Sequence, residues 1–269
     1  MRQVTRREFL IVTGAGAAAA AIAAACGDDG TPEPPASSSP TIATGTDAGA
    51  AGLRWYGQAM FLLTSPSGST VLLDPFSDIG YTLPPPLDAD VATITHEHPD
   101  HNNAALAGSS AKLLRGLTAG GWAQIDETVG DVRITTVETY HDETQGSARG
   151  RNAVFVFETA GVRIAHLGDL GPQLDPAQIA AIGGPVDVLM VPIGGTFTID
   201  AAGATEIVAA LRPKIVFPMH YKTDRIAFPL ATIDPFLEGK TVQRVGSTTA
   251  RLSKDTLPPE TTVMVLDYE

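Results

Sequence analysis

Hydrophobic and polar positions fall into different textures along the chain: an uncharged apolar run at 11–25, then a stretch almost without large apolar side chains, and from Leu53 short apolar runs separated by turn signals. In the last region, residues 53–63 and 70–73 predict a strand pair across the turn Ser65-Pro66-Ser67-Gly68. Residues 91–95 read as a short buried strand. Further strands are predicted at 132–137, 153–157 and 162–165, the last two joined by Thr159-Ala160-Gly161. The pattern then alternates: a helix at 176–181, a strand at 186–191, a helix at 202–211 and a strand at 215–218. A helix at 233–237 and strands at 241–245 and 262–266 complete it. Meandering strands followed by alternating strands and helices predict an α/β domain over 52–269, with two mixed sheets covered by helices rather than one parallel sheet.

The first two textures read as an address and a tether. Arg2, Arg6 and Arg7 precede the apolar run, which is shorter than the roughly 20 residues of a membrane span. Residues 1–26 therefore read as a signal peptide. Thr5-Arg6-Arg7-Glu8-Phe9-Leu10 resembles a twin-arginine export motif, and Ala23-Ala24-Ala25-Cys26 a lipoprotein processing box in which Cys26 becomes acylated. Residues 27–51 carry Pro32, Pro34, Pro35 and Pro40 and too little apolar surface to offset ordering entropy, so they read as a flexible tether. The expected location is the cell envelope, with the domain outside the cytoplasm and the membrane reached through the anchor alone.

Composition narrows the chemistry. The chain has 269 residues and a formal charge of −12, which argues against nucleic acid or an anionic membrane bound by bulk electrostatics. Its single cysteine is Cys26, so the domain has no disulfide and no thiolate ligand or nucleophile.

The dense signal is Thr95-His96-Glu97-His98-Pro99-Asp100-His101, which holds three of the six histidines. His96 and His98 are two apart, so on an extended segment leaving a strand their rings point to one side. Pro99 ends the extended run, and Asp100 and His101 enter a turn. One peptide thus offers two nitrogens to one metal ion, and an oxygen and a nitrogen to a second. Imidazole with carboxylate suits zinc, iron or manganese.

This motif resembles that of the metallo-β-lactamase-fold hydrolases, whose His-x-His-x-Asp-His run follows a strand. The resemblance implies a four-layer αβ/βα sandwich of two mixed β-sheets flanked by helices, with metals at one edge. It also implies three further ligands at strand ends, in the order His, Asp, His. His141, Asp169 and His220 match, each following a predicted strand. By resemblance His96, His98 and His141 hold one ion, Asp100, His101 and His220 the other, and Asp169 bridges them. His166, three residues before Asp169, reads as a supporting or packing residue.

Within the fold, Gly168-Asp169-Leu170-Gly171, the run 186–195 and Pro218-Met219-His220-Tyr221 resemble the branch containing ascorbate 6-phosphate lactonase. A weaker likeness is to phosphodiesterases that cleave N-acyl phosphatidylethanolamines. The zinc β-lactamases with a second-site cysteine lack a counterpart here. Where many relatives carry a histidine, this chain has Gln58. The implied activity is hydrolysis of a lactone, ester or phosphodiester by a hydroxide activated between two divalent ions, zinc first and manganese or iron next. Asp100 is the candidate catalytic residue, orienting the hydroxide or carrying a proton. Arg149, Arg151 and Lys222 are candidate contacts for a small-molecule or lipid substrate. The alternatives are a phosphodiesterase of the N-acyl phosphatidylethanolamine type and a non-catalytic metal- or ligand-binding lipoprotein on the same fold.

Overall fold

The computed structural model describes residues 49–268. The predicted signal peptide, Cys26 and the tether up to residue 48 lie outside the described residues. Among the described residues no helix is long and apolar enough to cross a membrane.

The chain opens with β1 (Ala51–Gly57), β2 (Met60–Thr64), β3 (Thr70–Leu73), β4 (Val91–Ile94) and β5 (Lys112–Arg115). A small hairpin, β6 (Leu117–Thr118) and β7 (Gly121–Trp122), leads to β8 (Asp126–Val129), β9 (Val132–Tyr140), β10 (Arg151–Thr159) and β11 (Val162–His166). Next come α1 (Pro176–Ile182), β12 (Val188–Pro192), α2 (Ala201–Leu211), β13 (Ile215–Met219) and α3 (Asp234–Leu237). The last strands are β14 (Val242–Arg244), β15 (Thr249–Leu252) and β16 (Thr262–Val265). They assemble into a six-stranded sheet, β15-β1-β2-β3-β4-β5, and an eight-stranded sheet, β14-β16-β13-β12-β11-β10-β9-β8. Both are mixed: β3, β4 and β5 are parallel beside antiparallel neighbours, and β11, β12 and β13 are parallel beside the β8–β11 meander.

Side-chain alternation explains the layering. Phe61, Leu63, Val71 and Leu73 face the core shared with Val154, Val156 and Ile164 of the second sheet. Met60, Leu72 and Ala92 point the other way, onto Phe76, Tyr81 and Leu106. The outer cover of the first sheet is thus loop and a short 3-10 turn at 104–107, whereas α1 and α2 lie against the second sheet. α1 starts where expected because Asp175 caps the Gln178 amide N–H, Gln178 caps back, and Pro176 sits at the first helical position.

Several strands differ from expectation. The apolar run 53–63 is two strands, not one, folded about Gly57 and Gln58, both at positive φ (114° and 47°). A Cβ at Gly57 would lie 2.5 Å from the Tyr81 ring, so only glycine fits this turn. β1 also takes in Ala51, the last residue of the segment read as tether. The short strands β5, β8 and β15 have no sequence signal of their own. β15 is built by its partner, since Ala51 to Arg54 pair with it across nearly 200 residues of chain.

Candidate metal centre

Every candidate ligand leaves from a strand end on one rim. The 96–101 segment follows β4, His141 follows β9, Asp169 lies three residues beyond β11, and His220 follows β13. β9 and β11 run in the same direction because each is antiparallel to β10, which brings their ends to the same edge. Asp74, directly after β3, joins them.

The peptide 96–101 is a bend and then a turn, closed by the His101 N–H donating to the His98 carbonyl at 2.9 Å. His96 stands 4.7 Å from His98 and 4.8 Å from His141 between ring centroids, and His98 stands 5.0 Å from His141. These three form one group of nitrogens able to hold an ion. Asp100, His101, Asp169 and His220 form another. Asp169 lies against both: its Oδ2 is 3.2 Å from His141 Nε2 and 3.2 Å from His220 Nε2, and its Oδ1 is 3.2 Å from His101 Nε2. The structure thus brings together all seven positions predicted as ligands.

Hydrogen bonds decide which ring atoms face inward. Thr95 donates its backbone N–H and its hydroxyl to Asp74, at 2.8 and 2.6 Å. That hydroxyl, its proton spent, accepts from His96 Nδ1 at 3.0 Å. His101 Nδ1 donates to the same Asp74 carboxylate at 2.8 Å. Both rings therefore turn Nε2 to the centre, and both Nε2 atoms are buried without a hydrogen-bond partner, as is Asp169 Oδ1. Buried polar atoms left unmatched at one point are the signature of a cation site. Asp74 also groups spatially with His96 and His101. Its Oδ2 is already occupied by two donors at the backs of those rings, so it orients them.

Electrostatics agree with this division. Burial alone would push Asp169 and Asp100 up, but His101 beside them, with His220, holds both carboxyls well below the usual range. Burial would push His101 and His220 down, yet the facing carboxylates raise His101 well above the usual value and His220 to about 9. Burial keeps His96 and His98 low, hence neutral. Histidines raised in this way by facing carboxylates are groups that would release protons to a cation bound between them.

Several supporting residues have no motif that would announce them. Gln58 is wholly buried, and its Nε2 donates to Asp100 Oδ2 at 2.9 Å. The carboxylate can only accept, so the amide orientation is fixed. The Gln58 carbonyl accepts from the Trp55 indole and from the His220 N–H, tying the β1–β2 turn to the end of β13. Asn152 on β10 accepts the Asp169 N–H at 3.2 Å and donates to Thr139 and Leu167. Gly168 has φ 54°, and a Cβ there would lie 2.4 Å from Asn152 Oδ1 and 2.7 Å from Thr95 Oγ1. His166 accepts the Gly168 N–H on Nδ1 and donates from Nε2 to the Ala59 carbonyl at 2.9 Å, so it is a staple between sheets, as expected.

The predicted substrate contacts separate. Lys222 binds the carbonyls of Ile226 and Phe228, which makes it a clamp of its own loop. Arg151 lies over the Trp122 ring, 5.0 Å from its centroid. Arg149 alone of the three lines a cleft of about 440 Å³ that opens at His141.

The sequence matches the profile of the β-lactamase superfamily domain over residues 52–220. The chain belongs to the metallo-β-lactamase superfamily. It is 32% identical over 211 residues to a UPF0173 metal-dependent hydrolase of Archaeoglobus fulgidus, covering 68% of this chain and 87% of that one. A similar hydrolase of Thermoplasma acidophilum is 33% identical over 200 residues, 67% of this chain and 86% of that one. Among solved structures, a superfamily protein of Thermotoga maritima, provisionally described as a zinc-dependent hydrolase, is 37% identical with a TM-score of 0.63, covering 81% of this chain and all of that one. This superfamily member is a metal-dependent hydrolase on a mixed α/β fold.

Proposed function

We propose that this chain is an exported, lipid-anchored hydrolase holding two divalent ions and acting on a lactone, ester or phosphodiester. The division of seven side chains into a three-nitrogen set and a mixed set around one shared carboxylate, Asp169, carries this reading. His96, His98 and His141 would hold one ion, and Asp100, His101 and His220 the other, with Asp169 between them. Zinc suits these donors first, manganese or iron next. Ions so placed supply Lewis acidity, lowering the pKa of water toward neutrality and offsetting charge that develops on the attacked centre.

The chain's own residues supply orientation and proton handling. Asp100 is half-buried, with Oδ2 held by Gln58 and 3.4 Å from His101 Nε2. A carboxylate placed so, and only partly buried, would orient the attacking water and relay a proton from it to the leaving oxygen. The likeness of 168–171 and 186–195 to the lactonase branch makes lactones the first substrates to test. A phosphodiesterase acting on N-acyl phosphatidylethanolamine is the second.

Metal analysis of the purified chain, with a hydrolysis screen over lactones, esters and phosphodiesters, tests the proposal. The expected content is about two ions per chain, with metal and turnover falling together in Asp169→Ala. Full activity with one ion, or in that variant, overturns the two-ion reading. No turnover of any class by the metal-loaded chain overturns the substrate reading. Export and anchoring rest on Arg6-Arg7 and Cys26. Fatty-acid labelling lost in Cys26→Ser is expected; an unlabelled parent chain overturns the anchor.

A further inference from the structure

The 440 Å³ cleft beside His141 runs between the loop 142–150 and the segment 195–203. Its acidic groups are largely committed. Asp142 is buried and accepts from Thr144 (N–H and hydroxyl), Gly146, Ala148 and Arg149, shaping the whole loop. Asp200 caps α2 through the Gly203 N–H at 2.9 Å. Glu143 is exposed at the rim. Arg149 is the one arginine in the lining, which has no lysine.

The guanidinium of Arg149 has one nitrogen anchored: Nη2 donates to the Thr196 carbonyl at 2.9 Å. Its carbon stands 5.6 Å from the Phe197 ring centroid, and Phe197 packs edge-on to Phe228 at 6.3 Å. Thr196 holds its carbonyl there in a left-handed conformation, φ 59°, which a β-branched residue rarely adopts, while its hydroxyl donates to the Pro229 carbonyl at 2.7 Å. In a chain with 30 acids against 18 bases, Lys112, Arg115, Arg133, Arg163, Arg225 and Lys254 each face a carboxylate, whereas no ion pair involves Arg149 among the described residues. A pre-oriented guanidinium with free N–H groups, braced on an aromatic ring, is a receptor for an oxyanion.

We propose that this cleft binds the non-reacting part of the substrate, and that Arg149 pairs with an oxyanion on it, carboxylate or phosphate, lying against Phe197. The substrate class becomes an anionic lactone or ester, its reacting group at the histidine cluster and its anion at Arg149. This inference rests on the hydrolytic reading of the site only for the reacting end.

Calorimetry on the metal-loaded full chain separates the two. Phenylacetate and phenyl phosphate are titrated into the parent chain, Arg149→Met and Arg149→Lys. Binding about tenfold weaker in Arg149→Met for one of the anions is expected, and the more affected anion names the oxyanion. Arg149→Lys, which keeps charge but loses the fork, falls between. Equal binding by parent and Arg149→Met overturns the proposal. In parallel, the ratio of kcat/KM for 4-nitrophenyl hemiglutarate over 4-nitrophenyl pentanoate is expected to fall about tenfold in Arg149→Met, through KM. An unchanged ratio also overturns the proposal. Arg149-dependent binding without hydrolysis of either ester leaves the anion receptor standing and removes the ester-hydrolase reading instead.

Discussion

The floor and the wall of this site are built by opposite means. On the floor, a few buried side chains hold the candidate ligands through hydrogen bonds, charge-assisted where Asp74 meets Thr95 and His101 and where Gln58 meets Asp100, and neutral where Asn152 takes the backbone N–H of Asp169. On the wall, the loop 142–150 is largely exposed, and one carboxylate, Asp142, gathers its N–H groups. A buried donor that loses its partner cannot turn to water, whereas an exposed one can. The floor therefore tolerates little change, while the wall is free to vary in shape. Such a division lets one metal chemistry serve different substrates.

Substitutions test this contrast in order of effect. Asp74→Ala strands the His101 ring N–H and the Thr95 hydroxyl, and metal affinity is expected to fall by about 10- to 100-fold, read by competition with a chromogenic chelator. Unchanged affinity would remove Asp74 from the floor. Gly168→Ala forces a left-handed alanine against Asn152 and Thr95 and is expected to cost about 3 kcal/mol, measured by the denaturant midpoint. A loss under about 0.5 kcal/mol would mean that the 166–169 turn yields.

Gln58→Leu keeps volume but frees Asp100. Turnover is expected to fall about tenfold with metal content retained; loss of metal as well would assign Gln58 to ligand support rather than to Asp100 alone. Asp142→Ala has the smallest effect on the floor. Its released N–H groups meet water, so stability should drop by about 1 kcal/mol while KM rises. A stability loss as large as that of Gly168→Ala would erase the distinction between floor and wall.

The fold was legible where residues carry their own signal. Strand β4 ran into the histidine motif, and α1 and α2 had caps and apolar spacing that place their starts within a residue. The turn at Gly57-Gln58 was read through because the apolar residues on either side of it, Trp55-Tyr56 and Ala59-Met60-Phe61, are buried on both faces of their strands, so no polar cluster marks where one strand ends and the next begins. β15 was invisible because its reason to be extended is β1. Among site residues, Asp74 reads as an ordinary Asp-Pro turn and Gln58 as a departure from a family pattern. No local feature distinguishes either.

The sequence by itself determined the candidate chemistry: the donor types, the spacing in 96–101, and the strand ends from which His141, Asp169 and His220 emerge. These depend on local backbone geometry and donor identity, which short segments encode. Tertiary structure decided what faces what. Gln58 meets Asp100 across 42 positions, Asp74 meets His101 across 27, and His166 meets Ala59 across 107. Such pairs form only after the sheets have packed, because a hydrogen bond across a long loop is held by the burial that excludes water from it. The same packing leaves Arg149 beside Phe197 at the mouth of a cleft, a placement that the spacing of residues along the chain does not carry.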